Sequence, residues 1–174
     1  ETIGGAVVMN AGAYGGEMKD VVIEATIIDQ KGHIKVYQND ALNFGYRTSV
    51  IKEKGYTVLS IVMQLKEGDP DEIWQKIDEL NQKRTTKQPL HLPSAGSTFK
   101  RPPGNYAGKL IEDSGLKGLI YGGAQVSDLH SGFVVNIDHA TYDDVVTLMR
   151  IVRDTVFEQF GVELEPEVKI IERD

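Results

Sequence analysis

Pro93-Ser94-Ala95-Gly96-Ser97-Thr98-Phe99-Lys100-Arg101-Pro102-Pro103-Gly104-Asn105-Tyr106-Ala107-Gly108-Lys109 separates two stretches of different texture. Upstream lie β-branched runs and glycine-rich turns that end in one strongly helical segment. Downstream come a short helix, short strands and a second long helix. Within the quoted stretch, small residues let the backbone approach a ligand closely, and prolines hold it stiff. That frame carries a hydroxyl beside a glycine, Ser97, and two cations, Lys100 and Arg101. A stiff loop with a hydroxyl and paired positive charge suits an anionic small molecule. It suits equally a surface loop whose serine bonds its own backbone.

The helix before this loop has agreeing start signals in Asp69-Pro70-Asp71-Glu72: Asp as N-cap, Pro in the first turn, Glu three residues after the cap. Ile73, Trp74, Ile77 and Leu80 share a face, which predicts packing on a sheet with Trp74 in the core. Pro89 ends the segment, and Lys87 lies near enough to the loop to reach the same ligand. After the loop, Tyr106 to Asp113 reads as a short helix closed by Gly115. Gly118 to Gly123 reads as flexible, and Ala124-Gln125-Val126 and Phe133 to Ile137 as short strands. Thr141-Tyr142-Asp143-Asp144 caps a long helix with a broad apolar face (Val145, Val146, Leu148, Met149, Val152, Val156, Phe160) that Gly161 ends. Val162 to Ile171 reads as a final strand, with Pro166 at its start or at a sheet edge. The acids around Pro166 suit either a solvent-facing edge or an active site.

Towards the N-terminus, Gly4-Gly5-Ala6 and Asn10-Ala11-Gly12-Ala13-Tyr14-Gly15-Gly16 surround a short apolar run. There is neither a Gly-Lys-Ser/Thr phosphate loop nor a Gly-x-Gly-x-x-Gly turn. Such small residues can line a cofactor with backbone N–H groups, or simply make tight turns between short strands. Val21 to Ile28 and Ile34 to Tyr37 form a predicted hairpin. Asn43 to Ser49 is a loop before a strong strand, Tyr56 to Leu65. Arg47 stands there between an aromatic and two hydroxyls, a setting that either clamps a guanidinium or leaves it on the surface. The whole reads as α+β, with helices over one face of a sheet after Arg84 and a boundary between residues 68 and 90.

At 174 residues with a net charge of −7, the chain offers no basic face for nucleic acid. No apolar run approaches the roughly 20 residues of a membrane span. Cysteine is absent, so disulfides and thiolate metal sites are excluded, and a cytoplasmic setting fits. His33, His91, His130 and His139 are scattered, with neither metal-ligand nor triad spacing. The sequence opens without Met, already inside a glycine motif, and is expected to be part of a longer protein.

Four separated segments together resemble one family. They are Ile3-Gly4-Gly5-Ala6 with Asn10-Ala11-Gly12-Ala13-Tyr14-Gly15; Phe44-Gly45-Tyr46-Arg47-Thr48-Ser49; Ala95-Gly96-Ser97-Thr98-Phe99-Lys100; and Leu164-Glu165-Pro166-Glu167-Val168. In order and spacing they resemble UDP-N-acetylenolpyruvoylglucosamine reductase, in its shorter type without an inserted tyrosine loop. Arg101 departs from the longer type, where Asn commonly follows the lysine.

The resemblance implies FAD and NADPH as cofactors and an enolpyruvyl UDP-sugar as substrate, reduced to UDP-N-acetylmuramate for peptidoglycan. It implies residues 1–68 as the C-terminal portion of an FAD-binding domain and 69–174 as an α+β sandwich substrate domain. Ser97 is then the proton donor, with Arg47 and Glu167 assisting. Glu167 is preferred over Glu165 for its place before Val168. Gly4, Gly5, Ala6, Asn10, Gly12, Ala13 and Arg47 would touch cofactor; Tyr46, Lys87, Lys100, Arg101 and Gln125 would touch substrate. A monomer is expected, with weak flavin binding and no turnover for this segment alone. The competing readings are another FAD-dependent oxidase of the same flavin-binding class and a non-enzymatic nucleotide-binding module.

Overall fold

A computed structural model describes residues 2–171, and the chain divides into two compact units, Glu1–Asp69 and Pro70–Asp174. In the first unit, helix α1 (Ile3–Val8) is followed by a minute hairpin of β1 (Gly12–Ala13) and β2 (Gly16–Glu17). The glycine stretch, for which tight turns between strands are one of two readings, is thus helical over Gly4-Gly5-Ala6. Glycine is a poor helix former, but Thr2 caps the helix by accepting from Gly5 N–H at 3.1 Å, and Val7 is anchored in the core. Strands β3 (Val22–Ile28), β4 (Ile34–Gln38) and β5 (Thr57–Met63) form an antiparallel sheet in the order β4-β3-β5. A bulge between Val22 and Glu24 lets Val22 share the buried face with Ala25 and Ile27. That face packs on Val7, Leu42 and Ile51. A one-turn helix, α2 (Val50–Glu53), interrupts the expected loop-to-strand connection; Ser49 caps it through Lys52 N–H and donates to the Val8 carbonyl at 2.7 Å.

The second unit starts with α3 (Pro70–Lys87), where the sequence predicted a helix. Its apolar stripe does not form a core as expected: Trp74 is 63% exposed, and Ile73 and Ile77 are exposed as well. A stripe shows that a face can be buried, not that it is. Strands β6 (Ser94–Ser97), β7 (Ile120–Tyr121), β8 (Ala124–Val126) and β9 (Phe133–Asn136) form an antiparallel sheet in the order β6-β9-β8-β7. The expected flexible run Gly118 to Gly123 instead contains β7, which pairs with β8 across a tight Gly122-Gly123 turn. Helix α4 (Ala107–Asp113) and the long α5 (Tyr142–Phe160) share one core with this sheet, centred on Leu148, Met149, Val152, Val156, Phe99 and Ile111. The Thr141/Asp144 capping box opens α5 and Gly161, at φ 65°, closes it.

Val162 to Ile171 is not a strand: its single bridge joins Pro166 to Phe99. Proline has no N–H for a ladder, so only its two neighbours bond across. Among the described residues, no helix is long and apolar enough to cross a membrane.

Candidate functional site

The first unit carries an open pocket of about 330 Å³. Its walls are the β1–β2 hairpin, Glu17, Lys19 and Asp20, and the Tyr46-Arg47 pair. The hairpin turns through Tyr14 and Gly15 with φ of 53° and 90°, the two positive values of a twist-matched type I′ turn. Gly12 is obligatory there, because a Cβ would fall 2.5 Å from Glu17 Cγ and 2.6 Å from the Gly16 carbonyl. At Gly15 and Gly16 a Cβ would meet nothing within 4 Å, so this wall is bare backbone.

Arg47 is half-buried, with a strained φ of 56°. Its guanidinium lies 5.2 Å from the Tyr46 ring centroid, Nη1 reaches the Gly12 carbonyl at 3.5 Å, and its own carbonyl accepts from Lys52 Nζ at 2.7 Å. Asn10, Tyr14 and Asn43 also have positive φ and also belong to this unit. Left-handed backbone costs a non-glycine residue about 1 kcal/mol, and such strain gathers where geometry serves a ligand.

Asn10 holds this arrangement from beneath. It is 1% exposed, donates through Nδ2 to Glu17 Oε2 (3.0 Å) and to the Gly45 carbonyl (3.1 Å), and accepts Lys19 N–H on Oδ1 (2.9 Å). Its amide therefore faces the protein. Lys19 Nζ stands 2.6 Å from Glu17 Oε2. That bond, then the one from Asn10, holds the Glu17 carboxyl below its ordinary range, and Glu17 in turn raises Lys19. Both stay charged near neutrality, and the rim offers cations and carboxylates together. Gly4, Gly5 and Ala6 do not line the pocket; they lie on α1, where Gly4 faces Val58 of β5.

In the second unit, Ser97 ends edge strand β6, exposed and opposite Phe133, after a bulge at Gly96 (φ 84°). The next residue, Thr98, is buried and bonded through its N–H, its carbonyl and its side-chain oxygen. Its N–H donates to the Gly132 carbonyl (2.8 Å), Oγ1 accepts Val134 N–H (2.9 Å), and its carbonyl accepts Glu167 N–H (2.9 Å). Lys100 N–H donates to the Glu165 carbonyl at 2.8 Å. The Pro166 segment is thus clipped onto residues 98–100 at both sides of the proline.

The two acids divide: Glu165 is exposed and its carboxylate pairs with Lys100 Nζ, while Glu167 is half-buried, its N–H on the carbonyl of the Thr98-Phe99 peptide. Arg101 Nε donates to the Asn105 carbonyl at 3.3 Å. Gln125 on β8 donates to the Gly118 carbonyl and to Asp128, and Lys87 is exposed in the last turn of α3. Among the described residues no three metal-ligating side chains cluster.

Sequence reasoning did not single out Glu17, Lys19 or Asp20, although charges directly after a Gly15-Gly16 turn mark a rim. Thr98 was also missed, because a buried hydroxyl inside a loop leaves no pattern.

A model of the UDP-N-acetylenolpyruvoylglucosamine reductase C-terminal domain matches residues 88–171. The reductase of that name from Alkaliphilus oremlandii is 55% identical over 170 residues, which is 98% of this chain and 56% of the relative. The one from Agathobacter rectalis is 56% identical, covering 98% and 54% respectively. The crystal structure of UDP-N-acetylenolpyruvylglucosamine reductase from Thermus caldophilus superposes with a TM-score of 0.80 at 39% identity, over 95% of this chain and 59% of that one. The chain thus spans somewhat over half the length of the relatives it matches. Sequence identity along nearly all of its residues, with the same fold, makes it a member of the UDP-N-acetylenolpyruvoylglucosamine reductase family.

Proposed function

We propose that the protein carrying this chain reduces UDP-N-acetylglucosamine enolpyruvate to UDP-N-acetylmuramate, a peptidoglycan precursor, using FAD and NADPH. Residues 1–68 serve the flavin and 69–174 the UDP-sugar. The relatives' names support the substrate, and one observation carries the chemistry: the Glu167 N–H to Thr98 carbonyl bond, which ties an acid to the residue beside Ser97. The bare glycine wall and mixed charges of the first unit's pocket fit a flat ring with donor and acceptor edges. Gly12, Ala13 and Arg47 would hold that ring, while Asn10, Gly4, Gly5 and Ala6 act by shaping the wall. The flavin, when bound, supplies hydride that originates in NADPH.

This chain's own groups handle charge and protons. Arg47 balances the enolpyruvyl carboxylate, whose negative charge grows as the double bond is reduced. Reduction would put hydride on one carbon of the enolpyruvyl double bond, and Ser97 Oγ delivers the proton to the other. A serine hydroxyl is a weak acid, so it serves only a strongly basic acceptor, with cations such as Lys100 and Arg101 stabilising the alkoxide left behind. Glu167 assists, half-buried where Glu165 is exposed and tied by its N–H to the carbonyl of Thr98, the residue after Ser97. Tyr46, Lys87 and Gln125 complete the substrate contacts. In the full-length protein, Ser97→Ala should leave flavin reduction by NADPH intact and abolish reoxidation by the enolpyruvyl substrate. Retained reoxidation in stopped-flow absorbance overturns the assignment.

A further inference from the structure

Pro102-Pro103-Gly104-Asn105 folds as a reverse turn whose chemistry is written in its residues. Asn105 N–H donates to the Pro102 carbonyl at 3.2 Å, and Gly104 takes a φ of 70°. Proline before a positive-φ glycine is the pairing a type II turn requires. The turn reverses the chain and returns Tyr106 onto Arg101. The guanidinium carbon lies 3.9 Å from the Tyr106 ring centroid, close enough for the two planar groups to stack. Arg101 Nε is fixed at the same time by the Asn105 carbonyl, at 3.3 Å.

Packing does not explain this tyrosine. It is 62% exposed, and as N-cap of α4 it makes no capping bond. Its ring contact is with a cation in the loop that carries Ser97. A guanidinium held against an aromatic face, with Nε already bonded, has lost most of its rotamer freedom before any ligand arrives. An arginine fork matches the geometry of two phosphate oxygens, and fixing it in advance removes part of the ordering cost of binding.

We infer that Tyr106 is a positioning residue that presets Arg101 as a fork for the diphosphate of the nucleotide sugar. This rests on the UDP-sugar reading above. The experiment compares full-length wild type, Tyr106→Ala and Tyr106→Phe, by steady-state kinetics with the enolpyruvyl substrate and by calorimetric titration with UDP alone. Tyr106→Ala should raise KM and the UDP Kd about three- to tenfold, the range of a cation–π contact, with kcat changed less than about twofold. Tyr106→Phe, which keeps the ring, should restore both.

Unchanged KM and Kd in Tyr106→Ala, or an equal loss in Tyr106→Phe, overturns the inference and leaves the reductase reading standing. Wild type that does not reduce the enolpyruvyl substrate sinks that reading instead. The UDP titration then decides alone: weaker binding in Tyr106→Ala but not in Tyr106→Phe supports the stack, and equal binding removes it.

Discussion

Replacing Asn10 by alanine should loosen the pocket of the first unit more than any change on its rim. Truncation strands Lys19 N–H, at about 1 kcal/mol in a part-buried setting, and leaves the Gly45 carbonyl with Thr48 N–H alone at 3.3 Å. It also releases Glu17 from Nδ2. Alanine at φ 47° adds about 1 kcal/mol of backbone strain that asparagine tolerates. The sum is about 2 kcal/mol, a large part of what a small unit possesses. Trp74, the single tryptophan, stands exposed in the other unit and is a poor reporter. Native-state hydrogen exchange at the Lys19 amide reads the bond directly.

Opening there should become about 2 kcal/mol easier, with α1 loosened alongside. Asn10→Asp should be less harmful in acid than at neutrality, because a protonated carboxyl can still donate to Glu17 whereas a second carboxylate repels it. If Asn10→Ala leaves the Lys19 opening free energy within about 0.5 kcal/mol of wild type yet abolishes flavin binding, Asn10 is a ligand contact and the scaffold reading is wrong.

Further outcomes follow from the second unit. Thr98→Val, nearly isosteric, removes the acceptor of Val134 N–H and should cost about 1–2 kcal/mol in urea unfolding. Gly123→Ala places a Cβ 2.1 Å from the Asp138 carbonyl and 2.5 Å from Ala140 N, all backbone, and should cost more than about 3 kcal/mol or prevent soluble expression. Asp144 is held below the ordinary 3.8 by accepting from the Thr141 and then the Gly123 backbone N–H groups. A carboxyl depressed by folding contributes fully above its unfolded value and loses that contribution as pH falls through the folded one. The melting-temperature gap between wild type and Asp144→Ala should therefore be widest above about pH 5 and shrink steadily on acidification below 3.8.

What could be read in advance was what local chemistry decides. The capping box at Thr141 and the glycine stop at Gly161 delimit α5 without reference to any neighbour, and both stand. Three misreadings share the opposite origin. Gly4-Gly5-Ala6 has poor helix propensity, yet Val7 burial draws it into α1. Ile73, Trp74 and Ile77 form a proper stripe, but burial depends on a partner that the stripe does not name. Val162 to Ile171 alternates like a strand, but Pro166 limits it to one bridge.

The site divides along the same line. Arg47 and Ser97 are conspicuous because their residue types suit chemistry. Asn10 and Thr98 hold the backbone next to such groups, and their residue types do not set them apart from the motifs around them. A motif records everything a site requires without separating what touches the ligand from what holds the backbone. Burial makes that separation: Asn10 and Thr98 spend their polar atoms inward, while Ser97, Arg101 and Tyr106 stand exposed on the loop they share. The residues whose loss should alter binding without altering stability are therefore the exposed ones. The Tyr106 variants should separate from Asn10→Ala and Thr98→Val on that axis.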